Sequence, residues 1–547
     1  MLVQRQRRRH EGVEIATVLA KLRGLRNVFT PQAERNQRTL LREVEGLRLR
    51  KWAQLSQLHE DLLFVTAFPA SLATRKSARA LLRKIFRRMQ DLPRAERARA
   101  DDSGIAGSIT RHVYPFPLAR VLATTENADV DWGNVEDEAA LDDVVRPLLA
   151  PAAREAFDSG EYGTREFVRL ARPPDTTDLR WLTSDVRVAD AWDAAESTVA
   201  WRLANSPRSV THNVLRNAPV AARTAMRWPD ANVVAAIEAP LPGVDLLTRG
   251  DARRVATCAR AALAARCREV NAITHPNIDE VWWCDLGCGV ALAVIGIARA
   301  HRLTLETNTG YLLLANGVPV GYGGVTPLFR QANTGINIFD PFRGGEAAYL
   351  WTQMLRAFHT LYGSTRFVIN AYQFGAGNAE AIESGAFWFY YRLGFRPADE
   401  AVATRASREA ARIANDRRYR SDPRTLRSLA SCDLHLDLKG YDARDFFDES
   451  FIAKAGARAA RQLAQTPRAG RELRPAGFER WSAGERRGFD ALAPIFAGLH
   501  VDDDEDRSAL VAMMRAKSLP QERTFALRSL RARGAFRALA SAIAADR

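Results

Sequence analysis

The chain has 547 residues, 47% of them apolar, and five cysteines. That is enough apolar material for three or four domains with cores of their own, and too odd and sparse a cysteine set for a disulfide framework. No apolar run reaches the ~18–20 residues of a membrane span and no apolar stretch backs the Arg-rich start Met1–His10, so a cytoplasmic chain without membrane spans is expected.

The charge is uneven: residues 1–100 hold 23 basic and 9 acidic side chains, residues 101–200 hold 9 and 20, within an overall net of +15. Such asymmetry raises nucleic acid as a partner, although the basic segment has an acidic neighbour of its own to lie against. In chain order, Ile15, Val18, Leu19, Leu22 and Phe29 recur at helical spacing and mark an amphipathic helix over residues 11–29. Leu40–Leu63 and Ala78–Met89 continue the pattern, the second with Leu81, Leu82, Ile85 and Met89 inward and Arg83, Lys84, Arg87 and Arg88 outward. A mainly helical first domain over residues 1–172 follows. Ser103, in the break Asp101–Ser108, lacks the preceding strand and the Gly-x-Ser-x-Gly spacing of an exposed nucleophile, so this reads as a loop capping the next helix. Acidic residues then cluster from Asp129 to Asp143.

Arg172-Pro173-Pro174-Asp175 marks a linker. Beyond it, residues 173–275 read as a helical connecting region with helices at Asp190–Ala204 and Ala252–Val270. Asp285-Leu286-Gly287-Cys288-Gly289 looks like the glycine-rich loop of S-adenosylmethionine methyltransferases, but Val290–Ile297 after it reads as a strand rather than a helix. Cys258, Cys267, His275, Cys284 and Cys288 crowd together without the paired short loops of a structural zinc site, so no metal is expected.

Tyr311–Leu314 and Val318–Val320 flank Asn316-Gly317, the strongest short-range signal for a hairpin with a type I′ turn. After a polar break at Arg330–Asn333, Gly335–Asp340 alternates as a short strand. Pro341-Phe342-Arg343-Gly344-Gly345-Glu346 then opens a helix from about Ala347 to Phe358. Such a small-residue helix start leaves amides free and favours a phosphate. Arg366–Asn370 is the next strand, and an aromatic helix ends in Tyr390-Tyr391-Arg392-Leu393-Gly394-Phe395. Ala401–Arg420 is a charged helix, Ser431–Leu438 alternates as a strand, and residues 441–547 are helical around the acidic loop Asp502–Asp506.

The series from this hairpin to the Tyr-Tyr-Arg-Leu-Gly-Phe helix end resembles the core of the GNAT superfamily of N-acetyltransferases. The resemblance implies an α+β fold: a GNAT-like mixed β-sheet core over residues 276–440 with helices on both faces, flanked by mainly α-helical N- and C-terminal regions. It further implies that acetyl-CoA lays its pantetheine arm along the strand Ile336, Asn337, Ile338, Phe339 and Asp340. Arg343, Gly344 and Gly345 match the pyrophosphate turn, and Asn378 the asparagine that opens the last helix. Tyr390 matches the tyrosine that returns a proton to the departing thiolate, with its neighbour Tyr391 as rival. In two places the chain departs from the family's pattern: Glu346 stands in the pyrophosphate turn, and Asn378 lies twelve residues before Tyr390.

Amine acylation needs alignment of amine and thioester, a base for the ammonium proton and a proton for sulfur. Glu306 and Asp340 are the carboxylates available as base, and the acceptor is an amine on a small molecule or a protein. A chain that keeps only the sheet as a scaffold would bind a protein or RNA partner through its helical flanks, whereas a Fem-type transferase using aminoacyl-tRNA on the same core would join the basic first segment to the chemistry.

Overall fold

The structure is a computed structural model and describes residues 2–125, 128–131, 138–416, 418–501 and 503–545. Part of the acidic stretch 129–143, and Asp502 of the later acidic loop, lie outside the described residues. Two compact units emerge. The first comprises Met1–Ala225, Thr257–Val270 and Ala315–Pro319; the second comprises Met226–Ala256, Asn271–Leu314 and Val320–Arg547.

In the first unit, helices Leu2–Leu25, Pro31–Gly46, Trp52–Ala67 and Leu72–Leu82 bury Leu22, Val44, Leu55, Leu58 and Leu62 completely. Their starts are capped as the sequence dictates: Thr30 accepts the Ala33 N–H at 3.2 Å ahead of Pro31, and Ser71 accepts that of Thr74 at 3.1 Å. A three-stranded antiparallel sheet follows, made of β1 (Ile109–Val113), β2 (Asp129–Asp131) and β3 (Thr198–Arg202), with β3 in the centre.

Two expectations fail here. The segment Asp190–Ala204 is not one helix but a helix Ala189–Ala194 followed by β3, because Thr198, Val199 and Ala200 find ladder partners on both sides and Trp201 pairs with Thr110. The first unit runs on past residue 172 to Ala225 and takes its central strand from that part of the chain. The loop at Ser103 leads into a strand rather than a helix, with the Asp101 and Asp102 carboxylates taking the amides of Ile109 and Arg111 at 3.3 and 2.6 Å.

The second unit is built on a mixed sheet of β4 (Gly243–Leu246), β5 (Pro276–Gly287), β6 (Val290–Ile297), β7 (Thr309–Ala315), β8 (Val318–Leu328), β9 (Gln331–Thr334), β10 (Asn337–Ile338), β11 (Arg366–Ile369), β12 (Arg396–Pro397) and β13 (Leu434–Asp437). The order is β12-β13-β11-β9-β8-β7-β6-β5-β4, with β10 on β8. β9 and β11 are parallel; β4–β5, β5–β6, β8–β9, β8–β10, β11–β13 and β12–β13 are antiparallel. Asn316 and Gly317 have φ of 50° and 78°, the two positive values that a type I′ turn requires. The methyltransferase-like Gly287-Cys288-Gly289 is likewise a hairpin tip, joining β5 to β6.

The polar run expected as a break, Arg330–Asn333, is instead largely strand. Leu328 pairs with Gln331 across a tight turn in which Phe329 takes φ 50°. The strand expected at Gly335–Asp340 shrinks to Asn337–Ile338, and Asp340 begins a short turn of 3-10 helix.

Helix Ala347–Tyr362 ends on Gly363 in the left-handed region, φ 66°. The last aromatic helix is two short ones, Ala379–Ser384 and Ala386–Arg392, divided by Gly385 at φ 64°. Helices Ser450–Gln465, Ala483–Phe496, Asp504–Ala516, Arg523–Ser529 and Arg533–Ala545 share one core with the sheet, in which Leu305, Leu328 and Phe329 meet Phe447, Phe451, Phe489 and Phe536. The region 441–547 therefore belongs to the unit that holds the sheet.

Within the second unit, a buried ion quartet joins the sheet to the C-terminal helices. Lys517 Nζ donates to Glu522 at 2.6 Å and to the Glu306 carbonyl at 2.8 Å. Arg302 faces Glu522 and Glu280, each at 3.8 Å, and Glu280 accepts the amides of Glu522 and Arg523 at 2.8 and 2.6 Å. Among the described residues no helix is long and apolar enough to cross a membrane.

Candidate functional site

The register of β8 against β9 and β10 is unbroken, from Leu328 opposite Gln331 to Gly321 opposite Ile338. Residues 331–338 thus run as one strand whose pairing lapses at Gly335 and Ile336. On its other edge the parallel ladder with β11 covers only Gln331–Asn333 against Arg366–Val368. Past Val368, β11 stays with β13 through Ile369 and Leu434, and the chain then turns aside in the 3-10 helix Ala371–Phe374. The two parallel strands part there, and the second edge of residues 334–338 has no strand beside it among the described residues.

Three side chains converge on this notch. Tyr311, fully buried on β7, crosses β8 where Gly323 has no side chain, and its hydroxyl donates to the Gly335 carbonyl. A Cβ at Gly323 would stand 2.7 Å from Tyr311 Cζ, so glycine is a steric requirement of the crossing. Gln373 lies against Gly335, where a Cβ would stand 2.9 Å from its Cδ.

Tyr390 is the third. Its ring is wedged among Trp351, Phe374 and Phe395 at centroid separations of 5.9, 6.3 and 5.8 Å. Burial raises the pKa of the Tyr390 hydroxyl well above the usual phenol range, while the Ile336 N–H partly opposes that rise. A protonated phenol is thereby held at the edge of the open strand. Tyr311, raised by burial, feels both Tyr390 and Tyr322, and Tyr322 stacks on Phe339 at 5.2 Å.

The helix mouth lies just beyond. The first helical bond runs from Leu350 N–H to Glu346 at 2.9 Å, so the amides of Ala347, Ala348 and Tyr349 precede it. Gly344 has φ 73° and open space where a side chain would be. Arg343 Nε donates to the Ile338 carbonyl at 3.2 Å, and its guanidinium pairs with Asp340 at 3.1 Å and Glu380 at 2.9 Å. Glu346 is buried, yet makes no side-chain cap to its own helix; its carboxylate accepts the Arg227 N–H at 3.1 Å. The Arg227 guanidinium lies over the Tyr349 ring at 5.6 Å and donates to Cys288 Sγ at 2.6 Å. The carboxylate in the turn is therefore directed to Arg227.

The other anticipated residues lie elsewhere. Tyr391 stacks on Phe387 at 5.8 Å beneath Arg396 at 4.3 Å. Glu306 comes three residues before Thr309, which bonds to Val325, so it is level with the start of β9 rather than with Ile336. Its carboxyl is raised by burial, with Lys517 opposing. The structure does not bring Glu306 and Tyr390 together. Asn378 caps helix Ala379–Ser384, accepting the Ala381 N–H at 3.1 Å, and donates to the Tyr372 carbonyl at 3.2 Å.

The soft side chains each have other company. Cys258 donates to Asn213 Oδ1 at 2.9 Å and His275 stacks on His301 at 3.5 Å; burial pushes the thiols of Cys258 and Cys284 up to about 12. Among the described residues no group of three or more His, Cys, Asp or Glu is placed to hold a metal.

Sequence reasoning missed Tyr311, Gly323 and Gln373. The available signal was Gly321-Tyr322-Gly323-Gly324 inside a strand, which marks close approach of another group. Comparison with protein-family models, with the curated proteins and with the solved structures gives no match.

Proposed function

We propose that the second unit is an acyl-CoA-dependent N-acyltransferase that moves an acetyl group from acetyl-CoA to an amine. The observation that carries this reading is the parting of the parallel strands after Asn333 and Val368, with the Tyr390 hydroxyl beside the edge that has no strand next to it among the described residues. An extended thioester arm would add to that edge as a guest strand, its pyrophosphate resting on the amides at the Ala347 helix mouth. Tyr390, kept protonated by burial, would give its proton to the leaving sulfur. With Glu306 directed elsewhere, Asp340 is the nearer carboxylate for the amine's proton, directly or through water.

A second reading, a sheet kept as a scaffold without chemistry, has one observation in its favour: Arg343 is already engaged by Asp340 and Glu380. One experiment separates them. With acetyl-CoA and a panel of amines, the first reading expects amine-dependent release of free CoA thiol, slowed at least tenfold in Tyr390→Phe with acetyl-CoA affinity retained. Absence of both release and binding at millimolar acetyl-CoA would leave the scaffold.

A further inference from the structure

We propose that the first unit carries a site for a small molecule bearing a phosphate or diphosphate group, in a cavity between the end of helix Leu72–Leu82 and the loop 205–216. The cavity has a volume of about 510 Å³, within the range of nucleotide-sized ligand sites. Arg79, Arg83, Arg216 and His212 line it together with Asn205 and Ser206, and no carboxylate does. None of the three arginines takes part in an ion pair among the described residues, whereas elsewhere in this chain arginine after arginine is matched to an acid.

Three unmatched guanidiniums converging on one hollow repel one another. They are stabilised when an anion with several oxygens enters, and a phosphate accepts from planar guanidinium forks in pairs. Neighbouring groups complete the donor set. His212 Nε2 meets Asn205 Oδ1 at 2.6 Å, which fixes the amide and leaves the Asn205 NH₂ to donate. Thr211, also in the lining, is held from behind by buried His59 at 3.1 Å and by the Ala106 amide at 3.0 Å. The wall is therefore fixed before a ligand arrives. Burial and the nearby Arg83 lower the His212 pKa, in keeping with the positive potential of the hollow.

The test uses the full chain, with inorganic pyrophosphate and ADP as probes in titration calorimetry at low salt. Both are expected to bind, and Arg79→Gln combined with Arg216→Gln is expected to weaken each at least about tenfold, the loss of charge-assisted bonds. The ligand-free melting temperature should not fall, since neither arginine has an ion-pair partner to lose among the described residues and the repulsion between them is relieved. Arg169→Gln, an exposed arginine outside the cavity, should leave pyrophosphate binding intact, and the double variant should leave acetyl-CoA-dependent amine transfer unchanged, which keeps this site distinct from the proposed acyl-CoA site. The proposal is overturned if neither probe binds at about 10 mM, or if the double variant binds as tightly as the native chain. It is also overturned if Arg169→Gln weakens binding equally, or if a short single-stranded RNA binds more tightly than ADP with a steep salt dependence, which would make the ligand a nucleic acid.

Discussion

Replacing Gly323 with alanine tests the geometry of the notch. The new Cβ would meet Tyr311 Cζ at 2.7 Å, where ordinary contact begins at 3.4 Å, so the ring must retreat by most of an ångström. Phe358 stands behind it with a centroid separation of 5.5 Å, and any retreat pulls the hydroxyl from the Gly335 carbonyl. Overpacking of this kind costs about 1–3 kcal/mol, and the abandoned carbonyl adds about 1–3 kcal/mol. A total of about 2–6 kcal/mol is expected in urea unfolding followed by far-ultraviolet circular dichroism. Tyr311→Phe, which loses only the hydroxyl, should cost about 1–3 kcal/mol. In a Tyr311→Leu background the clash is gone, and the added cost of Gly323→Ala should fall by more than ~1 kcal/mol, the coupling expected of touching side chains. An equal cost in both backgrounds would refute the crossing of Tyr311 over β8.

Lys517→Met strands the fully buried Glu522 carboxylate and should destabilise the second unit by about 3–5 kcal/mol, whereas adding Glu522→Leu should recover much of that because the Arg302–Glu280 pair remains balanced; melting curves of the single and double variants decide it, and a double variant worse than the single would count against the quartet. Buried His59 is held down to about 3, with burial the largest cause. Its folded value lies below the unfolded ~6.5, so the stability it contributes is complete above that value and is lost as pH falls toward 3, on the order of 5 kcal/mol in all. Asp61, pushed up to about 6 chiefly by burial, has the opposite slope, but it is common to both chains when native protein is compared with His59→Gln. The stability advantage of the native chain over that variant should therefore shrink between pH 7 and pH 4; a difference independent of pH would contradict the burial of a neutral imidazole.

Much of the scaffold could be read from local chemistry. Asn316-Gly317 announces its turn because few other residue pairs tolerate two positive φ values; the period of Leu81, Leu82, Ile85 and Met89 announces buried helical positions, although the structure divides them between the helices Leu72–Leu82 and Ile85–Gln90. The strand β13 declares itself by alternation: Leu434 and Leu436 are buried while His435 and Asp437 are half-buried. What escaped depends on partners far along the chain. Gln331 looks like loop, yet its amide donates to Asn333 at 3.1 Å and to the Phe447 carbonyl at 3.2 Å, which makes a polar strand tolerable inside the sheet. The role of Tyr311 rests on the missing side chain at Gly323, and Glu306 looks like a free base until Lys517, more than 200 residues later, meets its carbonyl.

Backbone hydrogen exchange over residues 334–339, with and without saturating acetyl-CoA, tests the proposed function most directly. An arm that pairs with the open edge should slow exchange at Ile336 and its neighbours while leaving Arg366–Ile369, already in a ladder with β13, unchanged. Exchange at 334–339 that is the same with and without ligand would contradict the insertion of a thioester between these strands.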